Sequence, residues 1–189
     1  MKSSQFILLF FISAVLLHLL SCSSHDKELQ GIIKSNLQFP SEEGKQVEIL
    51  YTDSGLVRLR ITSPQMNHFT INIPEPYTEM PKGVFIEFFN DSGKVKTTLK
   101  ADYGIRYERN KRTEVKSHVV VINSEGEILN TEKLSWNEGL KKIYTEDSVT
   151  ITRKKEILHG KGLEANEDFS EYEIRNIRGS TRAPGDTTK

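Results

Sequence analysis

Cysteine is nearly absent from the chain, because Cys22 is the only one among 189 residues. A single cysteine excludes an intrachain disulfide and a two-thiol relay. The sequence also lacks a Gly-x-Ser-x-Gly nucleophile elbow and a glycine-rich phosphate loop. The histidines beyond the N-terminal apolar run are far apart and lack metal-ligand spacing; they are His25, His68, His118 and His159. These absences argue against an enzyme, and we expect no cofactor and no metal site.

An excess of positive charge is missing as well, since 26 Lys and Arg residues balance 26 Asp and Glu residues. Residues 1–21 contain one charged residue, Lys2, so the rest of the chain has a net charge of −1. A nearly neutral protein has no long-range positive field that would collect nucleic acid or an anionic membrane. We therefore expect no nucleic-acid partner.

Only one long apolar run is present, from Phe6 to Leu20. Its fifteen residues are fewer than the roughly 20 that cross a bilayer as a helix, and they follow a positively charged start. This pattern is typical of a secretory signal peptide, which we predict at residues 1–21.

Cys22 follows Leu19-Leu20-Ser21, and this order resembles the lipobox cut by lipoprotein signal peptidase. We predict that Cys22 is lipidated, because no second cysteine explains its presence. The alternative is an ordinary signal peptide, or a short helical anchor, with a chance cysteine. Acyl chains on one residue would hold the protein on a membrane, at ~0.8 kcal/mol for each buried methylene.

The remaining chain is long enough for one domain with a real core. Residues 22–44 are mostly polar and predict a lipidated N-terminus followed by a tether. Residues 45–179 form the predicted domain, and residues 180–189 are expected to be a disordered tail because Ala183 is their only apolar residue.

Apolar residues recur at every second position between Val95 and Phe169, which predicts antiparallel strands with one buried face. The clearest run is 95–107, where odd positions are mostly apolar and even positions mostly polar or charged. Glycine-containing turns separate such runs at Asp53-Ser54-Gly55, Asp91-Ser92-Gly93, Ser124-Glu125-Gly126 and Asn137-Glu138-Gly139. We predict an all-β, up-and-back sheet without a helix of ten or more residues, in which Asn67–Met80 is the least strand-like part and forms a loop or an edge.

A weak repeat also occurs within this region. In four segments an aliphatic residue is followed by a small residue and then a polar one: Leu99-Lys100-Ala101-Asp102, Leu129-Asn130-Thr131-Glu132, Ile143-Tyr144-Thr145-Glu146 and Gly162-Leu163-Glu164-Ala165-Asn166. The spacing varies, so the repeat indicates one strand–turn device reused around a rolled sheet and not a solenoid. Aromatic residues are spread through the same strands, and the interior is either a filled sandwich core or a groove for acyl chains.

The ordered series of segments resembles the LptC family of lipopolysaccharide export proteins and its OstA-like relatives. The resemblance covers about Val47 to Gly179, and no single motif in it is diagnostic. Its segments are Met80-Pro81-Lys82-Gly83-Val84, Leu99-Lys100-Ala101-Asp102-Tyr103, Val119–Asn123 with Gly126, Leu129–Trp136, Ile143–Glu146, Val149–Ile151 and Gly160–Phe169.

The resemblance implies a twisted, open-ended β-jelly roll that binds lipopolysaccharide without catalysis. Such a protein takes lipopolysaccharide from the inner-membrane ABC transporter and passes it to an LptA-like periplasmic bridge protein. Many family members have a transmembrane helix where this chain has Cys22. We expect a periplasmic location and attachment to the inner membrane, with the outer membrane as the alternative.

Two groups of residues are candidates for this function. The cleanest one-sided run gives the expected lipid-binding groove: Leu99, Ala101, Tyr103, Ile105 and Tyr107. The resemblance places the edge that binds the next protein in the C-terminal part of the domain: Gly160, Gly162, Leu163, Tyr172, Ile174 and Ile177. The alternatives are a structural or protein-binding envelope lipoprotein with a filled core, and an outer-membrane assembly lipoprotein of the same superfamily.

Overall fold

Alternating apolar and polar residues form eleven strands in the part of the chain that the computed structural model describes, residues 38–182. The strands are β1 Glu42–Asp53, β2 Leu56–Phe69, β3 Tyr77–Met80, β4 Val84–Phe89, β5 Val95–Ala101, β6 Tyr103–Tyr107, β7 Arg112–Asn123, β8 Ile128–Asn137, β9 Lys142–Thr152, β10 Glu156–Asn166 and β11 Tyr172–Arg182. All pair antiparallel in one sheet, which confirms the all-β prediction.

The sheet is a meander of nine long strands. β4 pairs with β5 and β3 pairs with β6, so β3 and β4 act as one long strand, as do β5 and β6. β5 and β6 both pair with β7, and β8 to β11 follow in chain order. Within residues 38–182, β1 and β11 are the two strands with an unpaired edge.

The four predicted turns all connect neighbouring strands. Gly55, Gly93 and Gly126 have φ values of 80°, 74° and 80°, which a glycine adopts without steric cost. The fourth turn, between β8 and β9, has its positive φ at Lys141 instead of at Gly139. These hairpin predictions are confirmed. In the stretch expected to be a loop or edge, residues 70–76 form the loop and β3 is an inner strand.

The long strands bend at a common level of the sheet. In β7, Ser117 and His118 both have positive φ, and the N–H of Asp102 donates to the Ser117 carbonyl oxygen at 3.0 Å. Gly83 and Gly162 also have positive φ at this level. An extra residue in a strand bends it and strengthens the local twist. The sheet is therefore folded into two halves whose inner faces share one core.

The weak sequence repeat marks these bends. Its first three copies place a buried small residue before an exposed acidic residue, at Ala101-Asp102, Thr131-Glu132 and Thr145-Glu146. Each acidic residue lies where the inward-facing alternation is interrupted. The sequence had suggested that the repeat marks strand–turn units. The structure shows that it marks bends within strands.

The described strands extend slightly beyond the predicted domain. β1 begins at Glu42 because residues 42–45 pair with the end of β2. β11 runs to Arg182, so residues 180–182 of the predicted tail belong to the sheet. The predicted signal peptide, Cys22 and most of the tether and tail lie outside the described residues. Residues 38–182 contain no helix long and apolar enough to cross a membrane.

Candidate functional site

The inner face of the sheet carries a row of aliphatic side chains that crosses eight strands. Directly paired residues of an antiparallel sheet share a face. The register therefore aligns the following residues in one row, each opposite the next: Ile49, Ile61, Ile86, Leu99, Val121, Leu129, Ile151 and Leu158. This continuous row links eight of the strands through one apolar face.

Burial along the inner face falls towards the two free edges. Leu129 and Ile151, in the middle of the row, are fully buried. The half-buried apolar residues that pack against the core all come from the sheet's ends: Val47, Ile49 and Tyr51 on β1, Leu158 on β10, and Tyr172 and Ile174 on β11. The interior is thus filled in the middle and partly open at each edge.

The five residues predicted to line a groove do not share one face. Leu99 and Ala101 lie on the inner face and are buried, Leu99 in the aliphatic row. Tyr103, Ile105 and Tyr107 lie on the outer face, opposite Lys116, Glu114 and Arg112 of β7. The bend at Asp102 shifts the alternation by one residue, so odd positions point outward in β6. The expectation of a single one-sided run is wrong for these three residues.

Polar contacts on the outer face explain how these residues are accommodated there. The Tyr103 hydroxyl donates to Glu79 Oε1 at 2.8 Å, and the Lys116 ammonium lies 5.9 Å from the Tyr103 ring centre. Burial, followed by the hydrogen bond to Glu79, raises the pKa of Tyr103, so the phenol stays protonated. The guanidinium of Arg112 lies over the Tyr107 ring at 4.9 Å. These contacts tie the two tyrosines to polar neighbours.

The six residues predicted for the partner-binding edge lie on adjacent strands, β10 and β11. Leu163 pairs with Ile174 and Ala165 with Tyr172, and these positions share the inner face. Gly160 pairs with Ile177 beside a register shift, and Ile177 is 65% exposed. β10 is paired on both sides, by β9 and β11. Its three predicted residues, Gly160, Gly162 and Leu163, therefore support the edge strand without offering a free backbone edge themselves. Only the β11 residues lie on the edge strand itself.

Two glycines allow β11 to pack closely on β10. A Cβ at Gly160 would lie 2.3 Å from Cγ2 of Ile174 and 3.0 Å from the Asn176 carbonyl oxygen. Gly162 has φ +77°, which lets β10 bend. Gly160 leaves room for Ile174, and Gly162 allows the bend in β10, so both glycines help to position β11.

The loop between β10 and β11 folds against the other half of the sheet, which sequence reasoning missed. Lys96 pairs with Asp168, and Thr97 Oγ1 donates to the Asp168 carbonyl oxygen at 2.5 Å. Phe169 is fully buried and stacks on Tyr172, with ring centres 5.0 Å apart. An aromatic residue inside a polar turn was the available signal. The loop closes part of the interior.

The charge on this loop is stabilised by its contacts. Burial by itself would raise the pKa of Asp168, but hydrogen bonds from Lys96 and Ser170 outweigh it and hold that pKa below its usual value. Asn123 adds a hydrogen bond from its Nδ2 to the Phe169 carbonyl oxygen at 3.3 Å. The loop is thus held by polar contacts that water could replace.

A cleft of about 600 Å³ lies beside this loop, where the two halves of the sheet meet. Its apolar lining includes Leu59, Phe88 and Trp136, and its rim includes Arg58 and Lys141. The rings of Phe88 and Trp136 meet edge to face, with centres 5.7 Å apart. The cleft is thus an opening to the interior, with apolar side chains at its base and charged side chains at its rim.

Within residues 38–182, no group of three His, Cys, Asp or Glu side chains could hold a metal ion. A single antiparallel sheet folded over one apolar core, with unpaired edges on β1 and β11 among these residues, places the protein in the class of β-rolls with two free strand edges. The family model for lipopolysaccharide-assembly, LptC-related proteins matches residues 6–181. The chain therefore belongs to the LptC family.

Family membership confirms the resemblance seen in the sequence. The chain is a non-enzymatic, periplasmic component of lipopolysaccharide transport, and its β-roll agrees with the predicted jelly roll. No curated protein matches the chain.

Proposed function

We propose that this protein takes lipopolysaccharide from the inner-membrane ABC transporter, carries its acyl chains on the inner face of the roll, and passes them to an LptA-like periplasmic protein. The observation that carries this proposal is the apolar inner face: the aliphatic row crosses eight strands and is buried in its middle, and half-buried apolar residues continue the face onto the free-edge strands, Ile49 on β1 and Ile174 on β11. Such a face offers an apolar route from β1 to β11.

The physical need for such a face follows from the cost of exposing acyl chains to water. A saturated chain of ~12–14 carbons costs about 10 kcal/mol to expose, at ~0.8 kcal/mol for each methylene. Several such chains cannot cross an aqueous gap without cover. The inner face would supply that cover, while the sugar headgroup stays in water.

Loading would require local opening, because the middle of the interior is filled. The β10–β11 loop is held by one ion pair, Lys96 with Asp168, by a few hydrogen bonds and by the fully buried ring of Phe169. The polar contacts are individually worth only about 1 kcal/mol, so the burial of Phe169, worth about 1.5–3 kcal/mol, is the largest contribution that entering acyl chains would have to replace. In this proposal the loop moves away as lipid enters beside Trp136.

The edge strand β11 would continue the roll into the next protein. An unpaired strand edge is a template for a strand from another chain, and such pairing extends a sheet across an interface. Ile174 lies on the inner face of this edge next to Leu163, and Ile177, paired with Gly160, is exposed further along the same strand. Lipidated Cys22 would hold the roll near the membrane; this part of the proposal concerns residues outside the described range.

Site-specific photocrosslinking tests the lipid route. A photoreactive residue in place of Ile174 faces the interior, whereas the same residue in place of Glu173 faces outward on the same strand. We expect lipopolysaccharide adducts at position 174 to exceed those at 173 by at least about tenfold, since acyl chains in contact with the inner face leave the outer face in water. Adducts would be measured on the full chain in isolated membranes.

The alternative is an envelope lipoprotein that binds only proteins, and the filled middle of the interior favours it. Under that alternative, positions 173 and 174 would yield protein adducts and no lipopolysaccharide adduct. Equal lipopolysaccharide labelling at both positions would also contradict the proposed face.

A further inference from the structure

We propose that entry of acyl chains loosens the start of the edge strand β11, and that ordering of β11 by a partner strand in turn drives the acyl chains out. The inference rests on the proposed function, since it concerns how the lipid route and the partner-binding edge affect each other. Three side chains carry it, and we call them the β11 clamp: Arg153, Phe169 and Tyr172.

The clamp joins parts of the sheet that are distant along the strands. Arg153 lies just before the first residue of β10, whereas Tyr172 pairs with Ala165 near the end of β10. A flat strand of 11 residues would span about 35 Å, at ~3.3 Å per residue. The Arg153 guanidinium nevertheless donates to the Tyr172 hydroxyl oxygen, at 2.6 Å from Nη2 and 2.9 Å from Nε. The contact therefore bridges the two halves of the folded sheet.

Tyr172 also contacts the loop between β10 and β11. The Phe169 ring stacks on the Tyr172 ring, with centres 5.0 Å apart and planes 15° apart. Phe169 is fully buried, and Asn123 Nδ2 donates to its carbonyl oxygen at 3.3 Å. Only two residues separate Phe169 from Tyr172 in the chain. Movement of Phe169 out of the interior therefore pulls on the first residue of β11.

Arg153 is held by contacts that do not involve the loop. It pairs with Glu127 at 2.9 Å and with Glu156 at 3.1 Å, both at its own end of the sheet. Its guanidinium also lies over the Tyr172 ring, 5.4 Å from the ring centre. Burial raises the pKa of the Tyr172 phenol, so the hydroxyl stays protonated at neutral pH. Arg153 is thus the fixed side of the clamp, and Phe169 is the movable side.

Acyl chains that displace Phe169 remove the aromatic stack from Tyr172. The pair of Tyr172 with Ala165, the first pair of β11 with β10 after the loop, is then supported by the Arg153 contact without the ring of Phe169. Pairs at the end of an edge strand open more easily than pairs inside a sheet. The start of β11 should therefore exchange its amide hydrogens faster when acyl chains occupy the interior.

The coupling also acts in the opposite direction, because linkage between two binding events is reciprocal. A partner strand that adds to β11 requires an extended, ordered edge. Ordering of β11 favours the arrangement in which Phe169 is buried against Tyr172, and it thereby lowers the affinity of the interior for acyl chains. Docking of the next protein would thus discharge the roll towards it, which suits a chain that lacks a glycine-rich phosphate loop.

Hydrogen–deuterium exchange tests the coupling on the full chain in detergent micelles, with and without lipopolysaccharide. Lipopolysaccharide bound to the protein is quantified in the same samples. We expect peptides covering residues 171–177 to exchange at least about fivefold faster with lipopolysaccharide. Peptides covering residues 42–46, at the start of the other edge strand, should change less than about twofold, since they lie outside the clamp.

Two variants separate the contacts of Tyr172. Tyr172→Phe removes the hydroxyl that Arg153 holds and keeps the ring that stacks on Phe169. Without lipopolysaccharide its exchange at 171–177 should stay within about twofold of the unaltered protein; with lipopolysaccharide it should be at least about threefold faster, because both contacts are then lost. Tyr144→Phe is the matched control, because it removes a phenol hydroxyl on β9, outside the clamp, and it should leave exchange unchanged.

A third variant tests the movable side. Phe169→Ala should bind lipopolysaccharide at least about fivefold more tightly, because entering chains no longer displace a buried ring. Its exchange at 171–177 should already be fast without lipopolysaccharide.

Bound lipopolysaccharide with unchanged or slower exchange at 171–177 would overturn this inference and leave the proposed function standing. Absence of lipopolysaccharide binding would overturn both. Equal behaviour of Tyr172→Phe and Tyr144→Phe with lipopolysaccharide would show that Arg153 does not hold β11, and the clamp would be rejected.

Discussion

Leu129→Ala is expected to lower the free energy of unfolding by about 2–5 kcal/mol. Leu129 is fully buried at the centre of the aliphatic row, between Val121 and Ile151. The row crosses eight strands, so a cavity at its centre cannot be filled by movement of one strand. Urea unfolding of the full chain, with identical m-values, would measure the change.

Asn130→Ala provides the matched control, because Asn130 is the next residue of β8 and is exposed on the outer face. Its effect should be within about 0.5 kcal/mol. Similar losses at the two positions would mean that the inner face does not form the core, and the assignment of faces would fail.

Gly160→Ala is expected to destabilise the C-terminal edge by about 1–3 kcal/mol through overpacking. The added methyl group would lie 2.3 Å from Ile174 Cγ2, so β11 has to shift away from β10. In an Ile174→Ala background the same change should cost at least about 1 kcal/mol less, because the clashing atom is gone. A double-mutant cycle by urea unfolding measures this coupling.

Gly179→Ala is the control on the same edge, since a Cβ at Gly179 meets no atom within 4 Å. It should leave stability unchanged or raise it slightly. An additive cycle for Gly160 and Ile174 would show that close packing of these two residues does not hold β11 in place. If coupling is found, loss of partner binding in Gly160→Ala would follow from a displaced edge strand.

Local signals in the sequence were enough to predict the strands and their turns. The alternation in β8 and β9 reflects one buried and one exposed face, and Gly55, Gly93 and Gly126 have the positive φ that their turns require. Such signals involve residues close in sequence, which is why they can be read directly. The meander follows from short turns between neighbouring strands.

The bends could not be predicted in the same way. At Asp102 the apolar alternation continues without interruption from Leu99 to Ile105, although the strand reverses its faces there. A bulge is set by pairing with distant strands, in this case by the hydrogen bond from Asp102 to Ser117. Tyr103, Ile105 and Tyr107 therefore do not share a face with Leu99 and Ala101, and lipid binding by Leu99 and Ala101 stays a prediction.

The β10–β11 loop shows a second limit of sequence reasoning. Nothing near Asp168 in the sequence indicates its contact with Lys96, which comes from the opposite half of the folded sheet. The family resemblance supplied the position of the predicted partner-binding edge, and partner binding there stays a prediction. The division of this edge into a supporting strand, β10, and an edge strand, β11, required the register.

Quenching of Trp136 fluorescence tests most directly whether acyl chains occupy the inner face. Trp136 is the only tryptophan of the chain, and it lies on the inner face against Phe88 at the mouth of the interior. Lipopolysaccharide with brominated acyl chains should quench its emission strongly, whereas the unbrominated form should not, because bromine quenches only at contact. Unchanged emission with bound brominated lipopolysaccharide would contradict carriage on the inner face.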